Sequence, residues 1–144
     1  MDDTLIQYNK QILSSEDEEI EDFVHRYHWK VTTSPTGLRY MIYKEGNGIK
    51  AGKGKIVTIL YTLKKINGDL IYTADPGHPC EFELGKHAVS NGLEEGVLYL
   101  KTGDRAKLIL PSHLAYGLLG DLNKIPMRTI LVYDVEVIAV KEKN

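Results

Sequence analysis

The chain has 144 residues, of which 42% are hydrophobic and 26% charged, with a formal net charge of -2 at pH 7. These values are typical of a soluble globular protein with one ordinary domain and a modest extension. They exclude a bilayer-spanning helix, because no apolar run approaches the roughly 18–20 residues that a span needs. An intrachain disulfide is also excluded, because Cys80 is the only cysteine.

Charge is distributed unevenly along the chain. Residues 1–22 contain eight acidic residues and one basic residue, which gives -7, whereas residues 23–144 contain 12 acidic and 17 basic residues, which gives +5. This pattern indicates an acidic N-terminal extension ahead of a mildly basic body, and it lacks the basic stripe of a nucleic-acid-binding face.

Residues 1–33 have the pattern of two helices. Capping-box spacings begin at Thr4 and at Ser15, each with a glutamine or glutamate three residues later, and they predict a helix start at both places. The second helix carries apolar residues at helical spacing from Ile20 to Tyr27. This stripe has two interpretations: it packs against its own neighbour or the main domain, or it forms a dimerisation arm.

The residue pattern changes at TTSPTG from helical spacing to alternating, strand-like segments. This change predicts an N-terminal helical extension of residues 1–33 and a second unit of residues 34–144. In that unit, alternating and β-branched segments predict strands in LRYMIYKEG, GKIVTILYTLKKING, DLIYTA, CEFELG, DRAKLILP and RTILVYDVEVIAV. The pair Asn67-Gly68 predicts a hairpin. AVSNGLEEGVLYL has helical spacing, and its glycines, Gly92 and Gly96, favour close packing. Many strands and one short helix indicate an α+β fold, with an antiparallel sheet folded over that helix.

Residue types that carry out chemistry are present but form no recognisable site. His25 and His28 lie three residues apart on the predicted second helix, with Glu21 one turn earlier. We favour the interpretation that these are polar side chains suited to the last turn of a helix. A metal site is the less favoured alternative, because no further ligand has a recognisable spacing. The pair Glu94 and Glu95 is interpreted as a solvated helix face. An enzyme with this sequence needs a reaction that asks for little more than a shaped apolar pocket.

Ordered motifs in the second unit resemble a known family. LEEGVLYLKTGDRAKLILPSHLAYGLLGDLNKIP, followed by TILVYDVEV, closely resembles the FKBP-type peptidyl-prolyl cis-trans isomerases. Earlier, YTLKKINGDLIY and PCEFELGK match the second strand, the hairpin and the pre-helix strand of that family. The likeness covers roughly residues 38–140. It implies a twisted antiparallel β-sheet wrapped around a short α-helix, with a proline-binding pocket between them and with neither a cofactor nor a metal.

The resemblance also implies which residues form the site. The hydroxyl of Tyr116 and the backbone amide of Ser90 correspond to the groups that hold substrate carbonyls, and Tyr61 is a catalytic candidate beside them. The segment from Ala115 to Ile125 corresponds to a flap that covers the bound proline. The substrate-binding positions implied by the family are Ile71, Tyr72, Phe82, Val89, Leu93, Ala115, Ile125 and Tyr133.

Five positions depart from the family pattern. Tyr72 stands in place of a pocket aspartate, Cys80 in place of an aromatic residue, and Ser90 in place of an isoleucine. Leu93 replaces the tryptophan at the pocket floor, and Lys124 replaces an aliphatic residue of the flap. These changes predict poor binding of the macrolide drugs that give the family its name, and slow catalysis.

The resemblance implies an isomerase that assists the folding of proline-containing polypeptides. Rotation about the bond preceding proline has a barrier of about 18–20 kcal/mol because amide resonance must be broken. An apolar site with a few donors can favour the twisted amide without a proton, a nucleophile or a metal. The alternative is a non-catalytic binding or chaperone module of the same fold, which holds apolar or proline-containing segments.

The start of the second unit also suggests a location. A helical extension followed by SPTGLRY is similar to bacterial envelope members of the family, some of which are gliding-motility-type lipoproteins. We therefore expect an exported protein of the periplasm or cell envelope, with a signal segment and a lipid anchor absent from this chain. A cytoplasmic location is the alternative.

Overall fold

The computed structural model describes residues 3–115, 124–126 and 128–143. Its elements in chain order are α1 (Asp3–Arg26), β1 (Thr32–Thr33), β2 (Arg39–Lys44), β3 (Ile56–Lys65), β4 (Leu70–Ala74), β5 (Cys80–Glu83), α2 (Asn91–Leu98), β6 (Arg105–Leu110), a 3-10 helix (Ser112–Leu114) and β7 (Leu131–Lys141).

All the described strands belong to one antiparallel sheet. Its order is β1-β2-β6-β7-β3-β4, and β5 pairs with β3 in line with β4. The two longest strands, β3 and β7, pair from Ile56↔Lys141 to Lys65↔Leu131 and form the spine of the sheet. Between β3 and β4 the chain turns at Gly68, whose φ of +99° lies in the region that favours glycine. The predicted hairpin at Asn67-Gly68 is therefore confirmed.

Helix α2 packs on one face of the sheet at close range. Leu108 and Leu110 of β6 are buried in the same core as α2. A Cβ atom at Gly92 would lie 2.5 Å from Cγ of Leu110, and one at Gly96 would lie 2.6 Å from Cδ1 of Leu108. A larger residue at either position would force these leucine side chains or α2 itself to shift. The predicted close packing at these glycines is confirmed, as is the α+β fold of a sheet over a short helix.

The prediction of two helices in the extension is wrong, because α1 runs unbroken for 24 residues. No glycine or proline lies between Asp3 and Arg26. The serines at the expected boundary cost a helix only about 0.5 kcal/mol each relative to alanine. A capping box begins a helix only where the preceding residues leave helical geometry, and here they do not.

A Schellman motif ends α1. His28 has a φ of +56°; its amide donates to the carbonyl of His25, and the amide of Trp29 donates to the carbonyl of Val24. The reversal brings the Trp29 ring within 5.0 Å of the Phe23 ring, centroid to centroid. His25 and His28 thus lie at the end of the helix, in agreement with the favoured interpretation.

The second half of α1 packs on the opposite face of the sheet from α2. Ile20 has no exposed surface and belongs to a cluster with Ile109, Ile130 and Val132. Ile109 lies between Leu108 and Leu110 on β6, so it points away from α2, as alternation along a strand requires. The sheet is therefore covered on both faces, and the apolar stripe of α1 packs against the main domain.

Candidate active site

The predicted apolar and aromatic site residues that the structure describes lie in one cluster between the sheet and α2. Ile71, Phe82, Leu93, Ile125 and Tyr133 are buried within this cluster, and Tyr61, Tyr72, Val89 and Ala115 are partly buried against it. Tyr116 and residues 117–123 of the expected flap lie outside the described residues.

Two tyrosines form an aromatic corner in this cluster. Tyr61 of β3 and Tyr133 of β7 lie on adjacent strands, and their rings meet edge to face with centroids 5.2 Å apart. Edge-to-face geometry is a favoured arrangement for aromatic rings.

A β-bulge lets two neighbouring residues of β4 reach the same cluster. Leu63 pairs with Tyr72 and Lys64 pairs with Leu70, so Ile71 is the extra residue between them. In a regular strand Ile71 and Tyr72 would point to opposite faces. Because of the bulge, both pack into the core.

Two of the positions that depart from the family pattern contact each other. The Nζ atom of Lys124 lies 5.3 Å from the ring centroid of Tyr72, which is within cation–π range. This contact joins β4 to the segment that carries Ile125. Sequence reasoning treated the two substitutions separately, and no local signal connects positions that lie 52 residues apart.

Ser90, whose backbone amide the resemblance predicts to hold a substrate carbonyl, lies directly before α2. Ser90 is the N-cap residue in extended geometry, with φ -62° and ψ 154°, and its side chain makes no capping hydrogen bond. Its Oγ is buried and has no hydrogen-bond partner among the described residues. The hydroxyl therefore leaves the first amides of α2 without a side-chain cap.

The loop before α2 is fixed by a carboxylate. Glu94 is only 9% exposed, and its Oε1 accepts a 2.8 Å hydrogen bond from the amide of His87. Glu95 points elsewhere and accepts a hydrogen bond from the hydroxyl of Tyr99. The interpretation of this pair as a solvated face is wrong for Glu94, because the loop backbone needs an acceptor there.

The electrostatics of the cluster suit an apolar binding site. Burial raises the pKa of the Cys80 thiol, so the neutral thiol is the stable form there. Among the described residues no group of three or more His, Cys, Asp or Glu side chains could hold a metal ion. The cluster provides aromatic and aliphatic side chains beside the N-terminus of α2.

Known proteins share both this fold and this sequence pattern. The sequence profile of the FKBP-type peptidyl-prolyl cis-trans isomerases matches residues 47–138. The chain is 36% identical over 113 residues to the FKBP-type peptidyl-prolyl cis-trans isomerase FkpA of Aeromonas hydrophila, which is 78% of this chain and 41% of that protein.

Two solved structures have the same fold. FkpA from Escherichia coli matches with a TM-score of 0.77 and 30% identity over 96% of this chain and 64% of its own. AtFKBP13 matches with a TM-score of 0.71 and 30% identity over 76% of this chain and 98% of its own. The match to FkpA is too long to be confined to the sheet and α2, and it extends into α1. With these matches, the chain belongs to the FKBP-type peptidyl-prolyl cis-trans isomerase family.

Proposed function

We propose that this chain catalyses cis–trans isomerisation of the peptide bond preceding proline in polypeptide substrates. The observation that carries the proposal is the common cluster between the sheet and α2, which contains every described apolar residue that the family pattern assigns to the prolyl site. Such a site needs no ionised catalytic group.

The proposed mechanism is stabilisation of the twisted amide. Twisting removes resonance, which lowers the dipole of the carbonyl and makes the amide less dependent on water. Phe82, Leu93 and Ile125 would surround the prolyl ring and exclude water. The amide of Ser90 and the hydroxyl of Tyr116 would hold the flanking carbonyls. Only contacts that are better in the twisted state accelerate the rotation.

Exchange spectroscopy by NMR tests this function directly. A peptide with one proline after an apolar residue is mixed with micromolar protein, and the cis–trans exchange rate is measured with and without it. We expect measurable catalysis by the wild-type chain. An exchange rate equal to that in buffer, from a folded sample, would refute the proposal.

A pair of phenylalanine variants tests the role of Tyr116. One hydrogen bond contributes about 0.5–1.5 kcal/mol, so Tyr116→Phe should lower the catalysed rate about 2- to 10-fold. Tyr43→Phe is the matched control, because the Tyr43 hydroxyl donates to Asp134 on the α1 side of the sheet. Equal activity of the two variants would remove Tyr116 from the site.

A non-catalytic binding module is the second candidate function. The contact between Lys124 and Tyr72 favours it, because the contact joins two elements at the rim of the cluster and involves two residues unusual for the family. This alternative predicts peptide-induced chemical-shift changes without faster exchange. The same titration therefore separates the two candidates.

We further propose that the chain acts in the bacterial cell envelope, and the resemblance at SPTGLRY supports this location. None of the helices in the described part of the chain is a candidate membrane span. The codons upstream of this sequence provide the test: a hydrophobic leader supports export, and an in-frame start without one refutes it.

Self-association through residues 1–33 is a separate proposal. Leu5 and Tyr8 on the first half of α1 are each about half exposed, which leaves apolar surface for a second copy. Sedimentation of the full chain against Leu5→Glu tests it, and monomeric behaviour of the wild-type chain would refute it.

A further inference from the structure

Helix α1 contacts the chain on both sides of the predicted flap, and one of these contacts is a buried carboxylate. We propose that Glu16 is a positioning residue for the prolyl site, acting through Ser112. The inference rests on the proposed isomerase function. According to this inference, α1 helps to position the residues of the prolyl site.

Two short hydrogen bonds join Glu16 to Ser112, and both residues are buried. Glu16 is 6% exposed and Ser112 is 5% exposed. Oε1 of Glu16 accepts a 2.7 Å hydrogen bond from the amide of Ser112, and Oε2 accepts a 2.5 Å hydrogen bond from its Oγ. Hydrogen bonds to an ionised acceptor are about twice as strong as neutral ones. Two of them from one carboxylate fix both the distance and the orientation of Ser112 relative to α1.

Ser112 controls where the chain enters the site. It begins the 3-10 helix that follows β6, and its carbonyl accepts a hydrogen bond from the amide of Ala115. Leu114 and Ala115 both pack against the core cluster that contains the predicted site. A displacement of Ser112 would therefore move Ala115, which is the first predicted flap residue.

The same segment touches the start of α2. A Cβ atom built at Gly92 would lie 2.9 Å from the carbonyl oxygen of Leu114, so the two backbones are in close contact. Gly92 is two residues after Ser90, whose amide is the proposed carbonyl-binding group. Glu16 is thus connected by hydrogen bonds and packing to both sides of the proposed site.

A second contact from α1 reaches the chain beyond Ile125. The guanidinium of Arg128 lies 4.8 Å from the ring centroid of Tyr8 and donates a hydrogen bond to its hydroxyl. Arg128 has a φ of +55°, an uncommon conformation for a residue with a side chain. Tyr8 and Glu16 lie about 12 Å apart along the helix axis. One rigid helix therefore holds both described segments that flank residues 116–123.

A purely structural role explains Glu16 poorly. Ile20, one turn later, already anchors α1 through the apolar cluster. Replacing buried ionic groups by apolar residues of similar size is often neutral or stabilising, so a buried carboxylate is a poor means of holding two surfaces together. What the carboxylate adds is a fixed position for Ser112.

The test measures catalysis in three variants of the full chain. Exchange spectroscopy at several peptide concentrations gives kcat and KM, and urea unfolding gives the stability of each variant. Glu16→Ala removes both hydrogen bonds. In Glu16→Gln the amide oxygen can accept from the Ser112 amide while the NH2 group donates to Oγ. Val24→Ala is the stability control, because it removes apolar contact from α1 without involving Ser112.

We expect Glu16→Ala to lower kcat about 10-fold or more, since small displacements of positioning groups have effects of that size. Glu16→Gln should stay within about 2-fold of the wild-type kcat, because it can form both hydrogen bonds. Val24→Ala should keep the wild-type kcat although it unfolds at lower urea concentration.

Three results would overturn the inference: a wild-type kcat in folded Glu16→Ala, an equal loss in Glu16→Gln, or an equal loss in Val24→Ala. If Glu16→Ala does not fold, Ser112→Ala replaces it, since that change removes only the Oγ bond. A loss of about 2- to 10-fold then supports the inference, as expected for one hydrogen bond, and an unchanged kcat overturns it. An inactive wild-type chain refutes the proposed function, whereas an active wild type with an equally active Glu16→Ala refutes this inference alone.

Discussion

Replacing Ile20 by alanine tests whether α1 and the sheet fold as one unit. The Ile20 side chain has no exposed surface and packs against Ile109, Ile130 and Val132. Ile20→Ala removes three buried carbon atoms, which corresponds to about 2.4 kcal/mol at about 0.8 kcal/mol per group. The cavity left behind adds to this loss, and Ile→Ala changes in cores cost about 2–5 kcal/mol. We expect about 3 kcal/mol.

Urea unfolding followed by two probes measures this loss. Trp29 is the only tryptophan of the chain and packs beside the α1 cluster, so its fluorescence reports the docking of the helix. Circular dichroism reports the whole fold. With an m value of about 2 kcal/mol per molar urea, Ile20→Ala should lower both midpoints by about 1.5 M.

Leu5→Ala is the control for this experiment. Leu5 lies on the same helix but is 48% exposed, so its loss should stay within about 0.5 kcal/mol. A loss below about 1 kcal/mol for Ile20→Ala would show that the helix does not dock in solution. A fluorescence transition that moves alone, while the circular dichroism transition stays, would show that α1 undocks independently of the sheet. Either result would refute the reasoning.

Three further predictions concern the site. Gly92→Ala should destabilise the chain by about 1–3 kcal/mol in urea unfolding, because the new Cβ would lie 2.5 Å from Cγ of Leu110; an unchanged midpoint would contradict this. Cys80 should react with iodoacetamide at pH 8 more slowly than free cysteine, since burial raises its pKa and lowers the thiolate fraction; equal rates by mass spectrometry would refute it. A double-mutant cycle of Lys124→Leu and Tyr72→Leu should show a coupling free energy of about 0.5–1 kcal/mol in urea unfolding, because the ammonium lies over the ring. Additive effects would rule out the contact.

The sheet could be predicted from the sequence because its signals are local. Alternation, β-branched residues and the Asn67-Gly68 pair each act within a few positions, and they place most strands within a residue or two of the observed bounds. The close packing of α2 at its two glycines could also be predicted, since small residues one turn apart on a helix indicate a close approach to a neighbouring element. The family resemblance then supplied the set of residues that the fold gathers in one cluster.

The roles of the two buried carboxylates could not be predicted from the sequence. Glu16 reaches Ser112, which lies 96 residues later in the chain, and nothing near either residue indicates the contact. Glu94 looks like half of a solvated pair, yet it holds the loop before α2. In both cases the acceptor serves a backbone amide, and the position of that amide depends on the tertiary fold. The unbroken course of α1 has a different cause: no glycine or proline interrupts residues 3–26, so the capping spacing at Ser15 does not start a new helix.

The acidic extension and the basic body are best understood as two surfaces that meet in a defined register. The apolar cluster of Ile20 with Ile109, Ile130 and Val132 would by itself allow α1 to slide or rotate on the sheet, since apolar contact has no direction. Arg39 of β2 restricts this freedom, because its buried guanidinium lies 3.1 Å from Asp17 and 3.2 Å from Glu21, one turn apart on the helix.

These ion pairs add little net stability, because both carboxylates are more than half exposed to water. Their effect is on geometry: Arg39 contacts two successive turns of α1, and in this register Glu16 contacts Ser112. Two residues of the acidic extension thus help to set the register of α1 on the sheet, and Ser112, which Glu16 contacts, lies just before the predicted prolyl site.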